Sequence, residues 1–200
     1  MINIDKLFDL MADKGFQDPS TGNLFFPAYI YTYPAENELE LRAQIELLIE
    51  KLNRPNLFLD CLSINIYHEL IAFLKQNSFS QNSIFDDILK LEKEDPEEAY
   101  IAIREELDFF WEHLEKKVRD HFKDTTNDKR VFLLMYGFGT VFPYIRASEL
   151  LKNTEKIIKE FKLILFYPGK YENTNYSLFG ILNDDNMYRA NHLNKILGVE

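Results

Sequence analysis

Apolar residues along this chain follow two rhythms, and the rhythms alternate. Short runs of aromatic, β-branched and leucine side chains without helical spacing fall at residues 25–33, 57–62, 131–136 and 163–167. Around them, apolar residues recur every three or four positions, the spacing of one helix face. Ile4, Leu7, Phe8 and Met11 do so before Gly15; Leu41, Ile45, Leu48 and Leu52 follow the first run; Ile66, Leu70 and Phe73 follow the second, with Ser63 as the expected N-cap. Short apolar runs paired with amphipathic helices predict an α/β fold, a mainly parallel sheet with helices on both faces.

The third run, Val131–Tyr136, is the one the chain is organised around. It stops at Gly137 and Gly139, passes Pro143 and restarts as a helix expected over 144–151, with Arg146 one turn inside. The fourth run is expected to end at Pro168-Gly169, closing a right-handed βαβ unit. Between the second and third runs, residues 77–127 read as a helical insertion. Ser83 with Asp86 begins one helix, and Asp95-Pro96-Glu97-Glu98 opens a longer one whose stripe is Tyr100, Ile103, Leu107, Phe110, Leu114 and Val118. The tail holds a strand or turn at Tyr176 to Gly180 and a polar turn, 183–190, entering a last short helix. With few glycines and prolines and no repeat, residues 1–200 read as a single domain.

The order of elements invites comparison with nucleotide-binding domains: it is P-loop-like, but without a phosphate loop. Only glycine-rich backbone wraps phosphates closely. The place after the first strand holds Tyr33-Pro34-Ala35-Glu36-Asn37-Glu38, with no glycine and two acids that repel phosphate. Asp60 reads as a strand-end aspartate of the kind that holds magnesium, a weak match without the loop. His113 and His121 lie eight apart on one helix with Lys117 between them, which opposes a cation, so they read as solvated. Cys61 stands alone, which excludes an intrachain disulfide and fits packing better than reactivity. Tyr29, Tyr31 and Tyr33 share one strand face; exposed, they would stack on bases, but no interleaved lysine or arginine supports this, and under helices they are core. A net charge of −10 opposes direct nucleic-acid binding. The opening MINIDKLFDLMADKG lacks a signal-peptide pattern, and no apolar run is long enough to span a bilayer, so the chain reads as cytoplasmic. No catalytic constellation, metal site or cofactor site emerges.

In a parallel sheet the turns at the strands' carboxyl ends share an edge. That edge gathers Tyr33, Pro34, Glu38, Gly137, Gly139, Pro168 and Gly169, with Arg146 nearby and Asp185 and Arg189 on the polar tail. The charges admit two readings: an ion pair of Arg146 or Arg189 with Asp185 that pins the tail, or a surface that docks a partner.

The run Tyr136 to Ala147, followed by Glu149 to Asn153, resembles the BrxB family of BREX anti-phage defence systems. Leu165-Phe166-Tyr167-Pro168-Gly169, Leu178-Phe179-Gly180, Asp184 to Ala190, and Tyr31 to Glu36 with Glu38 and Arg42 are similar to further blocks of that family, in its order. Met187 departs from it, standing where an aromatic is usual. The resemblance implies a place in a system that methylates host DNA and blocks phage replication. It implies as partners the PglZ-like alkaline-phosphatase-like protein, the BrxC-like ATPase and the PglX-like methyltransferase, with homo-oligomers also open. The family has been described as RNA-binding. The residues fit a non-enzymatic adaptor better; an RNA-binding module and a degenerate nucleotide-sensing domain are the alternatives.

Overall fold

The computed structural model describes residues 4–17, 27–57, 59–78, 81–123, 131–155, 161–173, 175–184 and 190–199. Among them, a parallel sheet runs in the order β2 (Asp60–Asn65), β3 (Val131–Tyr136), β4 (Lys162–Glu172), β1 (Ala28–Tyr33), and the two-residue β7 (Asn191–His192) extends it beyond β1. The expected mainly parallel sheet is therefore present, with β3 and β4 at its centre.

Both faces are covered, and the strands alternate between them with the period of two that a pleated backbone imposes. Ala28, Ile30, Leu133, Met135, Leu163 and Leu165 face one cluster. Against it pack the helices between β2 and β3, namely α4 (Ile66–Gln76), α5 (Ile84–Glu94) and α6 (Pro96–Phe122), together with α7 (Phe138–Val141) and α8 (Ala147–Thr154). Tyr29, Tyr31, Tyr33, Phe132, Leu134, Ile164 and Phe166 face the other cluster. That cluster is closed by α1 (Ile4–Ala12), the short α2 (Lys14–Gln17), α3 (Glu38–Leu52) and α9 (Leu193–Leu197). The three tyrosines are 6%, 4% and 2% exposed, so they are core and present no stacking face.

The edge beyond β1 is finished by side chains. Asn194 accepts from the Thr32 N–H at 2.8 Å and donates to the Thr32 carbonyl at 2.9 Å, imitating another strand residue. Asn191 donates to the Ala28 carbonyl at 3.1 Å. Among the described residues, no helix is long and apolar enough to cross a membrane.

Five local expectations are corrected. The second strand begins at Asp60 rather than residue 57, because β3 offers six partners, from Asp60 opposite Val131 to Asn65 opposite Tyr136. Asn65 rather than Ser63 caps the next helix, accepting the His68 N–H at 3.1 Å; both residue types cap, and the ladder decides between them. Asp60 consequently lies at the amino end of the sheet, away from the edge where a magnesium-binding aspartate would be needed. On α6, Ala99 takes the buried position of the stripe while Tyr100 is 38% exposed.

The fourth correction lies after β3. Gly137 adopts φ +89°, a left-handed conformation open to glycine, and turns the chain into the short α7. A bend with a cis Phe142–Pro143 bond follows, and α8 starts only at Ala147. Arg146 therefore stands at the N-cap position, not inside the helix. Its backbone N–H is accepted by the Glu149 carboxylate at 3.2 Å, one half of a capping box that needs no capping side chain from Arg146.

The fifth is β4 itself. Pro168-Gly169 does not end the strand; it changes the strand's partner. Pro168 stands opposite Tyr33 in the last pair with β1, where its carbonyl accepts the Phe179 N–H at 2.8 Å. From Gly169 to Glu172 the strand pairs antiparallel with β5 (Asn175–Leu178), which pairs with β6 (Leu182–Asp184). A β-carbon at Gly169 would lie 2.1 Å from the Ser177 carbonyl oxygen, so glycine is what lets β5 approach.

Candidate functional site

The carboxyl ends of the strands form one edge, as the parallel register requires. At its centre, β1 leads into α3 on one face of the sheet while β3 leads into α7 and α8 on the other, the topological break where α/β sheets open a crevice. A groove of about 600 Å³ lies there, walled by Thr32 of β1 and Pro34 just after it, Lys170 and Tyr171 of β4, and His192 and Asn194.

Side chains close the phosphate-loop position. The chain leaves β1 through Pro34 and a single 3₁₀ turn, Ala35–Asn37, and α3 opens with Glu38 and Glu40 in its first turn. The Tyr33 hydroxyl donates to the Glu38 carboxylate. Arg42 donates from Nε to the same carboxylate at 2.9 Å and from Nη2 to Thr140 Oγ1 at 3.4 Å. Burial pushes the Tyr33 phenol far above its ordinary value, and Glu38 adds to this while Arg42 opposes it. The phenol therefore stays protonated and donating. This chain of contacts ties the exit of β1 to α7, and its acids occupy the helix start where an anion would otherwise find N–H groups.

Next to Thr140, a β-carbon on Gly139 would lie 2.9 Å from the Phe179 ring and 3.1 Å from the Pro168 ring, so the three residues stack closely. Gly137 sits against Asn65, whose oxygen would lie 2.7 Å from a β-carbon there. The Asn65 Nδ2 is buried without a hydrogen-bond partner in the structure.

Tyr33, Pro34, Glu38, Gly139 and Pro168 are thus brought together; Gly137 lies one strand away. Gly169 shapes the hairpin rather than a turn at the edge. Asp185 and Arg189, and with them Met187, lie outside the described residues, as does any Arg146–Asp185 pair. Asp184 takes the pinning role within the described tail: its carboxylate accepts from Ser148 Oγ at 3.0 Å and from the Tyr167 hydroxyl at 3.2 Å.

A second ion pair, unforeseen in the sequence, buttresses the edge. Arg104 of α6 grips Glu149 with both nitrogens, at 3.0 and 2.9 Å, and also donates to the Tyr144 carbonyl at 2.9 Å. Burial alone would raise the Glu149 carboxyl, but Arg104 and the Arg146 N–H outweigh it and hold it below the usual range. Nothing in local spacing announces this pair, because its members are 45 positions apart.

The helix histidines are not simply solvated. His113 Nε2 lies 2.8 Å from Glu69 and His121 Nε2 lies 3.1 Å from Asp60, with Lys117 also on Glu69. These contacts fasten α6 to α4 and to the start of β2. Among the described residues no group of three or more His, Cys, Asp or Glu is arranged to hold a metal ion. Cys61 is buried and its thiol is pushed up to about 12, by burial first and by Asp60 second.

Sequence reading also missed where apolar side chains remain outside. Ile181 is 79% exposed, with Phe179 and Leu182 about half as much, all on the β5–β6 turn. The apolar string Leu178-Phe179-Gly180-Ile181-Leu182 was visible; its exposure was not.

Fold and edge together define a mainly parallel α/β protein whose phosphate-loop position after β1 is closed by its own side chains while a groove stays open beside it. The family described as BREX protein BrxB matches residues 62–193, and the chain belongs to that family. A BREX protein BrxB from Bacillus cereus (strain H3081.97) is 25% identical over 193 residues, covering 94% of this chain and 93% of the relative. Another from Escherichia coli O9:H4 (strain HS) is 26% identical over 164 residues, covering 81% and 75%. No solved structure matches. Family membership places the chain in the BREX system and implies a role in phage defence.

Proposed function

We propose that this protein is a non-enzymatic, cytoplasmic adaptor that joins components of a BREX complex through the carboxyl edge of its sheet. The observation that carries the reading is the Tyr33–Glu38–Arg42–Thr140 chain of contacts, which fills the position where related layouts hold phosphate, directly beside exposed apolar side chains. Acids at the start of α3 disfavour nucleotide phosphate, and apolar surface flanked by arginine favours protein contact. The partners it fits are the PglZ-like protein and the BrxC-like ATPase, with the PglX-like methyltransferase a further member of the assembly.

The test is co-expression of the tagged chain with its operon. Stoichiometric recovery of the PglZ-like protein or the ATPase at moderate salt, abolished by Arg42→Ala with Thr140→Val, is expected. Recovery of RNA alone, or nucleotide turnover by the isolated chain, would replace the adaptor reading.

A further inference from the structure

The β5–β6 turn combines three features that fit one kind of ligand. The first is a pocket of about 170 Å³ lined by Phe142, Leu178, Ile181, Leu182 and Arg146, with Asn183 and Asp184 at its polar end. It has room for one large apolar side chain, and its apolar rim stays open to solvent although burial there would be favourable. The second is backbone conformation: Phe179 holds φ +57°, costly for an aromatic residue, and keeps its ring over Gly139 and Pro168. The third is charge. Arg146 stands exposed at the rim, and the methylenes of Lys170 run along Gly180 on the other side, 3.5 Å from where its β-carbon would be.

These two cations flank an apolar patch on a chain whose net charge is −10. Neither makes a side-chain hydrogen bond or ion pair with another described residue. Of the acids beside Arg146, Asp184 accepts from Ser148 and Tyr167, and Glu149 is paired with Arg104. Arg146 and Lys170 are both exposed, so their charge also reaches outward, where it attracts carboxylates to a chain whose net charge otherwise repels them.

We infer that this face binds a protein segment carrying a large apolar side chain flanked by acidic residues. The apolar side chain fills the pocket, and the acids pair with Arg146 and Lys170. The inference rests on the adaptor reading and names the chemistry of its partner. Nucleic acid fits less well, because two cations are few for a phosphate backbone and the chain carries a net charge of −10.

Fluorescent 15-residue peptides tiled across the other proteins of the same operon test it against the full chain. Peptides with a Leu, Ile or Phe between acids are expected to bind. Ile181→Asp, Arg146→Glu and Lys170→Glu should each weaken them at least tenfold with an unchanged melting temperature, whereas Arg146→Lys should keep most of the affinity. If acidic–apolar peptides are ignored, or bind equally to all variants, while the intact partner still co-purifies, the inference falls and the adaptor reading survives. If the intact wild-type chain recovers no partner at all, both fall. A dimer split by Ile181→Asp would assign the face to a second copy, and RNA binding lost on Lys170→Glu would assign it to nucleic acid; either overturns the inference.

Discussion

Gly169→Ala should detach the β5–β6 hairpin while leaving the central sheet folded. The added methyl would lie 2.1 Å from the Ser177 carbonyl oxygen, whereas ordinary contact begins at 3.4 Å, so β5 must retreat by more than 1 Å. A ladder hydrogen bond does not survive such a displacement, and the pairs from Gly169–Leu178 to Glu172–Asn175 are the ones that hold β5. Overpacking of this kind costs about 1–3 kcal/mol. If the hairpin opens locally, a cost near the top of that range raises its open population on the order of 100-fold. Hydrogen exchange followed by mass spectrometry should then show peptides within 175–184 losing protection, while those within 131–136 keep it. If the strain spreads through the whole domain instead, the melting temperature should fall by about 6–10 °C. Unchanged exchange in 175–184 together with an unchanged melting temperature would refute the claim that Gly169 is there for the approach of β5.

Phe110→Ala empties a fully buried site packed against Phe73 and should cost about 3–5 kcal/mol, lowering the melting temperature on the order of 10 °C in thermal denaturation. Glu149→Gln should cost about 1 kcal/mol at pH 7, because both partners of the Arg104 pair are about a third exposed and solvent screens them. Since the folded Glu149 carboxyl is held below its unfolded value, its contribution is present above the unfolded value and fades as pH falls through the folded one. Melting curves of wild type and variant should therefore differ at pH 7 and begin to converge once pH falls below the unfolded carboxyl value of about 4.3. The Cys61 thiol, buried and pushed up to about 12, should resist iodoacetamide at pH 8 in the native protein and label fully in urea.

The sheet and its layers were legible because they follow from periodicity. Leu41, Ile45, Leu48 and Leu52 announce a helix face, and Val131–Tyr136 can hardly be anything but a strand buried on both sides. What stayed illegible depends on partners distant in the chain. Ser63 and Asn65 are both competent caps, and only the length of β3 chooses between them. Pro168-Gly169 carries the ordinary signature of a strand end, and only the approach of Ser177 shows why a glycine stands there. The strand-exit residues were found because parallel register alone sends Tyr33 and Pro168 to one edge. The Arg104–Glu149 pair, the Arg42–Thr140 contact and the exposure of Ile181 left no local trace.

The change of partner within β4 has a mechanical consequence for the proposed docking. One strand serves two sheets: Leu163 to Phe166 lie in the dry centre, and four residues later the same backbone supports the hairpin that carries Phe179 and Ile181. A loop tip is ordinarily the most mobile part of a domain. Here it is joined to the most buried strand without an intervening linker, and it is pinned from the side by Tyr167 and Ser148 on Asp184 and by the Phe179 ring on Gly139. A partner gripping the tip therefore meets a surface already fixed relative to α8, and little ordering entropy is lost on binding. The same construction limits the hazard of exposed aliphatic residues on a strand. β6 is only three residues long, and short, charge-flanked edges are poor templates for aggregation. Under the proposed docking, rigidity at this turn and selectivity for one segment come from the same few contacts.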